Sequence, residues 1–211
     1  MVAVPRRSFT RPSGFRDSRL IVIASEGSNT EPAYFEAVRD YLLASPSRVH
    51  VEVLRREAGP SAPEFVIGQL DDFRKNWKLS GDDELWAVID YDRWGGVKLS
   101  SIATSAVQKR YRLAVSRPCF EVWRLLHFED LSVLPQPEQS ALDQGGCRAV
   151  TARVRQACGS CNKNMNDVAE YLPLIDTAVE RAERLDSNPQ ERWPSGVGTR
   201  VYHVLNSIKE R

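Results

Sequence analysis

No apolar run in this chain approaches the roughly 18 residues needed to cross a membrane as a helix. The N-terminus is basic but lacks an apolar stretch behind it, so it does not read as a secretory signal, and a cytoplasmic location is expected. Net charge is nearly absent: Lys plus Arg number 29 against 28 for Asp plus Glu, a formal balance of +1. That excludes a global basic field for nucleic acid and leaves any such binding to local patches. Cysteine is scarce, with Cys119, Cys147, Cys158 and Cys161 only, and in a cytoplasmic chain these are expected to be free thiols. Internal repeats and low-complexity tracts are missing. What remains is an ordinary core-forming composition, 42% hydrophobic and 27% charged over 211 residues. It is enough for one large domain, or one domain with an appendage.

Residues 1–18 combine Pro, Ser and Arg without apolar periodicity and read as a loose basic arm. Leu20–Ser25 is a continuous apolar run, as expected of a strand buried on both faces of a parallel sheet. Gly27 permits a tight turn. Thr30, Glu31 and Pro32 then open a helix to about Ala44. Val49, Val51 and Val53 alternate with polar residues, the pattern of a strand nearer the sheet edge. Ser61-Ala-Pro-Glu64 matches a capping box, and Val66, Leu70, Phe73 and Trp77 follow at helical spacing. Residues 84–90 are a third strand and Arg112–Ser116 a fourth, with a helix between them and another from Phe120 to Phe128. The alternation of strand and helix predicts an α/β fold with a mainly parallel, four-stranded sheet over residues 19–130. Residues 131–147, with Pro135, Pro137 and Gly145-Gly146, read as loop. Helices are expected at about 148–157, 167–186 and 199–210, with Pro173 kinking the second or marking its start. Residues 131–211 would thus form a helical extension packed on the core.

Active sites of open α/β sheets lie at the carboxyl ends of strands, near a switch in strand order. Glu26 follows the first strand, and Asp90 and Asp92 end the third. If the chain stays extended there, residues i and i+2 face the same way and the two aspartates converge. One such carboxylate alone reads equally well as solvated or as a helix cap. Three together read as a site for Mg²⁺ or Mn²⁺, hard cations that take carboxylate oxygens and support phosphodiester chemistry. Glu31 is either a supporting ligand or a first-turn acid favoured by the helix dipole. Glu121, after the fourth strand, is a further ligand, a water-positioning base or an exposed helical residue. Arg55, Arg93 and Arg117 flank the strand ends and are phosphate-binding candidates. Trp94 either stacks on a base or packs on its loop. His127, among apolar neighbours, reads as a core residue. Cys158-x-x-Cys161 lacks the four ligands of a structural zinc site and reads as incidental thiols.

Four stretches resemble the RloB-like family, the first and third of them specifically. They are Glu26-Gly-Ser-Asn-Thr-Glu31-Pro-Ala-Tyr34-Phe35, then Asp90-Tyr-Asp92, then Ser116-Arg-Pro-Cys-Phe-Glu121-Val-Trp123-Arg-Leu-Leu-His127-Phe128. The last is Asn188-Pro with Gly198-Thr-Arg-Val-Tyr202. The resemblance implies a Toprim-like Rossmannoid fold in which Glu26, Asp90 and Asp92 form a Mg²⁺ site. It also implies kinship with AbiLii-type proteins of bacterial antiviral defence and abortive infection, encoded beside an AAA- or ABC-type ATPase. The function so implied is a metal-dependent nuclease, a hydrolase of DNA or RNA such as tRNA, acting with that ATPase. The alternative is a non-catalytic subunit that docks on the ATPase. Homo-oligomerisation is left open. Arg117 stands where the family usually has Asn before the proline.

Overall fold

The computed structural model describes residues 7–8, 18–43, 47–56, 62–92, 94–159 and 165–210. Most of the expected N-terminal arm lies outside these residues, as do Ser61 of the capping box, Arg93 and Cys161. Along the chain the elements are β1 (Arg7–Ser8), β2 (Arg19–Ser25), α1 (Thr30–Leu42), β3 (Val49–Leu54), α2 (Pro63–Asn76), β4 (Trp77–Lys78), β5 (Glu84–Asp90), α3 (Gly95–Lys109) and β6 (Arg112–Arg117). There follow α4 (Glu121–Phe128), α5 (Gln136–Gln144), α6 (Gly146–Cys158), α7 (Val168–Tyr171), α8 (Ile175–Leu185), β7 (Gly198–Thr199) and α9 (Val201–Lys209).

The main sheet has the order β3-β2-β5-β6-β7. The first four strands are parallel, and β7 joins β6 antiparallel through Ser116↔Thr199 and Arg117↔Gly198. The sheet therefore has five strands rather than the expected four, because a two-residue strand carries too little pattern to read. The small β1 pairs in parallel with β4.

Alternation along the strands divides the core into two layers. Ile21, Ile23, Trp86, Val88 and Ala114 face α1, α4, α6, α8 and α9. Leu20, Val22, Ala24, Leu85, Ala87, Ile89 and Val115 face α2 and α3. The result is helices on both sides of a mostly parallel sheet, a Rossmann-like arrangement. β3 is an edge strand, with Val49, Val51 and Val53 buried and the residues between them half-buried.

Two departures from the sequence reading have simple causes. Residues 131–147 are not loop: α5 occupies Gln136–Gln144, with a proline in its first turn. Proline costs nothing there, since the amide it lacks has no intrahelical acceptor. The expected helix 167–186 is interrupted by a 3₁₀ turn at Leu172–Leu174 around Pro173, so that α8 begins at Ile175.

The C-terminal segment is held by a buried ion pair. Arg200 donates to Asp186 at 2.9 and 3.2 Å, and Tyr202 donates to the same carboxylate at 3.0 Å. Arg200 also reaches the carbonyls of Asn188 and Glu191. Thr199 and Ser116 join their hydroxyls across β7 and β6 at 2.7 Å.

Candidate functional site

From β2 the chain goes out to β3 on one side and then returns to β5 on the other, so the strand order reverses between β2 and β5. Glu26 and Asp90 sit at the carboxyl ends of those two strands. The register pairs Ser25 with Val88, and the Glu26 N–H donates to the Val88 carbonyl at 3.1 Å. Glu26 is 4% exposed. Its carboxylate accepts from Trp94 Nε1, 3.0 Å from each oxygen, and from the Asp90 N–H at 3.4 Å. Trp94 therefore orients the glutamate, and Lys98 lies over its ring at 4.1 Å. The sequence offered one signal for this role, an indole in the loop after the acidic strand end, but its partner was not legible.

Asp90 Oδ1 accepts from the Phe120 N–H at 2.9 Å. Burial raises the Asp90 acid well above the usual range, and the charges of Glu31, Glu121, Glu26 and Asp92 raise it further. All four thus act on Asp90. Glu31 is buried, and its carboxylate turns back to accept from the Gly27 N–H at 3.1 Å. A methyl group on Gly27 would fall inside that carboxylate, so glycine at this position lets Glu31 fold back onto the turn. Burial first, then Glu121 and Glu26, push Glu31 up to about 7 against the lowering effect of its backbone hydrogen bonds.

Asp92 does not continue the strand. β5 ends at Asp90, and the amides of Tyr91 and Asp92 both donate to the Pro118 carbonyl, which curls the chain. Asp92 is consequently exposed, and its Oδ2 accepts from the Cys147 N–H at 3.4 Å. Glu121 is half-buried, with Oε2 3.2 Å from Cys147 Sγ. Among the described residues the tight grouping of ligand atoms, all within 4.8 Å of one another, is Cys119, Glu121 and Cys147.

Cys119 and Cys147 are joined in a disulfide, which corrects the expectation of free thiols at these two positions. The fold places their Cα atoms 5.5 Å apart, inside the range a disulfide spans. A separation of 28 residues hides that proximity in the sequence. The Cys158 thiol donates to the Val154 carbonyl at 3.1 Å.

Of the arginine candidates, Arg55 is paired with Glu36, with Nε to Oε1 at 2.7 Å. Arg117 makes a two-point pair with Asp143 at 2.8 and 2.9 Å and covers the Tyr91 ring at 4.4 Å. Both guanidinium groups already hold carboxylates. Arg93 lies outside the described residues. His127 is buried against Tyr34 and the Trp123 carbonyl, and burial pushes it down to about 4, so it is a neutral core residue. A cleft of about 1080 Å³ opens at the opposite pole of the sheet, beside Arg19, Glu84 and Arg112, away from the carboxylates.

An open, mostly parallel α/β sheet with clustered carboxylates at its switch point defines the class: a Rossmann-like domain with an acidic strand-end site. The family model described as RloB-like protein matches residues 21–208, and the chain belongs to that family. Comparison with curated proteins and with solved structures returned no match. No helix among the described residues is long and apolar enough to cross a membrane.

Proposed function

We propose that this chain is a Mg²⁺- or Mn²⁺-dependent nuclease, a phosphodiester hydrolase of DNA or RNA. It would act as an effector of antiviral defence with an AAA- or ABC-type ATPase partner. The observation that carries the reading is the gathering of Glu26, Glu31, Asp92 and Glu121 around Asp90 at the switch point of the sheet, where each of the four charges acts on Asp90.

The donor set fits a hard divalent cation, being composed of carboxylate oxygens. Glu26, Asp90 and Asp92 would hold the ion, which when bound supplies Lewis acidity toward a phosphate. The chain's own groups prepare that task. Trp94 fixes the Glu26 carboxylate by its indole N–H. The Phe120 N–H orients Asp90. Glu31 locks the turn that presents Glu26. Glu121, at the start of α4, is placed to accept a proton from an attacking water.

Nuclease assays on DNA, RNA and tRNA, with Mg²⁺ or Mn²⁺ and the ATPase present, test the reading. The Asp90→Ala, Asp92→Ala double variant should be inactive, and cleavage that survives it overturns the assignment. The second reading is a non-catalytic subunit that docks on the ATPase. Calorimetry with Mn²⁺ separates the two. Binding lost in Glu26→Gln supports the enzyme, and absence of binding supports the docking subunit.

A further inference from the structure

The Cys119–Cys147 disulfide joins the loop before α4 to the first turn of α6, and it lies between the candidate ligands. On one side Cys119 is fully buried, and the residue after it, Phe120, holds Asp90 by its N–H. On the other side Cys147 is half-buried. Its N–H rests on Asp92 and its sulfur on Glu121. Gly146, immediately before it, has φ +63, a left-handed conformation that glycine adopts freely. One covalent bond thereby clamps the start of α6 onto two of the five carboxylates.

We propose that Cys119 and Cys147 form a reversible dithiol–disulfide switch. The disulfide holds the start of α6 over Asp92 and Glu121 and weakens divalent-cation binding; reduction releases both carboxylates. The proposal deepens the metal-site reading above and rests on it.

The chemistry runs through Cys147, the more accessible sulfur. In oxidation its thiolate attacks a peroxide oxygen. The O–O bond breaks, and Cys147 becomes a sulfenic acid. The Cys119 thiolate then attacks that sulfur, the S–S bond forms and the S–O bond breaks. The two thiol protons leave in the two water molecules made from the peroxide. In reduction a small dithiol attacks Cys147, and Cys119 departs as a thiolate and takes a proton. The second thiol of the reductant then closes its own disulfide and frees Cys147, so that two electrons pass from reductant to protein.

The test uses the full chain, oxidised with peroxide or reduced with dithiothreitol, with the disulfide verified by alkylation and mass. Mn²⁺ binding is measured by calorimetry, and hydrogen exchange is followed in peptides spanning residues 145–150. Reduction should tighten Mn²⁺ binding by about tenfold, ~1.4 kcal/mol, and speed exchange at the start of α6. Cys147→Ser should match the reduced protein under both conditions, while Cys158→Ser should still switch. Equal affinity and equal exchange in the two verified states overturn the proposal. Redox-dependent exchange without Mn²⁺ binding in either state supports the clamp and refutes the metal-site reading.

Discussion

Replacing Glu31 by Gln should make the metal-free protein more stable above neutral pH and leave it unchanged in acid. Glu31 is raised from 4.5 to about 7, chiefly by burial and further by the charges of Glu121 and Glu26. A raised acid holds its proton in the folded state at pH values where the unfolded chain has released it. Between pH 4.5 and about 7 the folded state therefore binds more protons, and stability falls as pH rises. Below 4.5 both states are protonated and the penalty is absent; above 7 it is complete. The difference of 7 minus 4.5 corresponds to about 3 kcal/mol as an upper limit. Gln keeps a carbonyl oxygen for the Gly27 N–H and removes only the charge. Urea unfolding in a chelator, from pH 4 to pH 8, should show Glu31→Gln more stable by about 1–3 kcal/mol at the alkaline end. The two curves should converge at the acid end. Parallel curves with one constant offset would refute the reasoning, since they would mean that the Glu31 charge is not what the fold works against.

Three further changes probe other contacts. Gly27→Ala puts a methyl group into the Glu31 carboxylate and should cost about 1–3 kcal/mol. Thermal unfolding of Gly27→Ala combined with Glu31→Ala should recover much of that loss, and no recovery would exclude the clash as its cause. Trp94→Phe removes the indole N–H from Glu26. It should cost about 1–3 kcal/mol and weaken Mn²⁺ binding in calorimetry, whereas unchanged affinity would deny Trp94 a positioning role. Asp186→Ala leaves Arg200 buried without its carboxylate. Removing one partner of a buried pair costs about 3–5 kcal/mol; because the carbonyls of Asn188 and Glu191 remain, the low end is expected, and a negligible shift in unfolding midpoint would contradict the account.

The four longer strands and most helices were legible because their apolar residues recur at strand or helix period, and that period depends only on backbone geometry. Leu20–Ser25 announced a two-sided core strand by being apolar throughout, and the structure buries all of it. Glu26 and Asp90 were legible as a pair because strand ends of α/β sheets converge by construction. Asp92 was less so. Whether a chain continues or curls after a strand is decided by a carbonyl on another segment, here that of Pro118.

The sequence by itself thus determined the α/β alternation, the mainly parallel sheet and the carboxylates at the strand ends, Glu26 and Asp90, since these follow from local period and order. Tertiary structure alone decided the rest. It set Trp94 against Glu26, folded Glu31 back onto Gly27 and engaged Arg55 and Arg117 with Glu36 and Asp143. It also brought Cys147 to Cys119 beside the carboxylates. Apart from the local Glu31–Gly27 contact, each of these is a meeting of groups distant in the chain whose partner is chosen by how elements pack in space, and spacing along the chain carries no record of that choice.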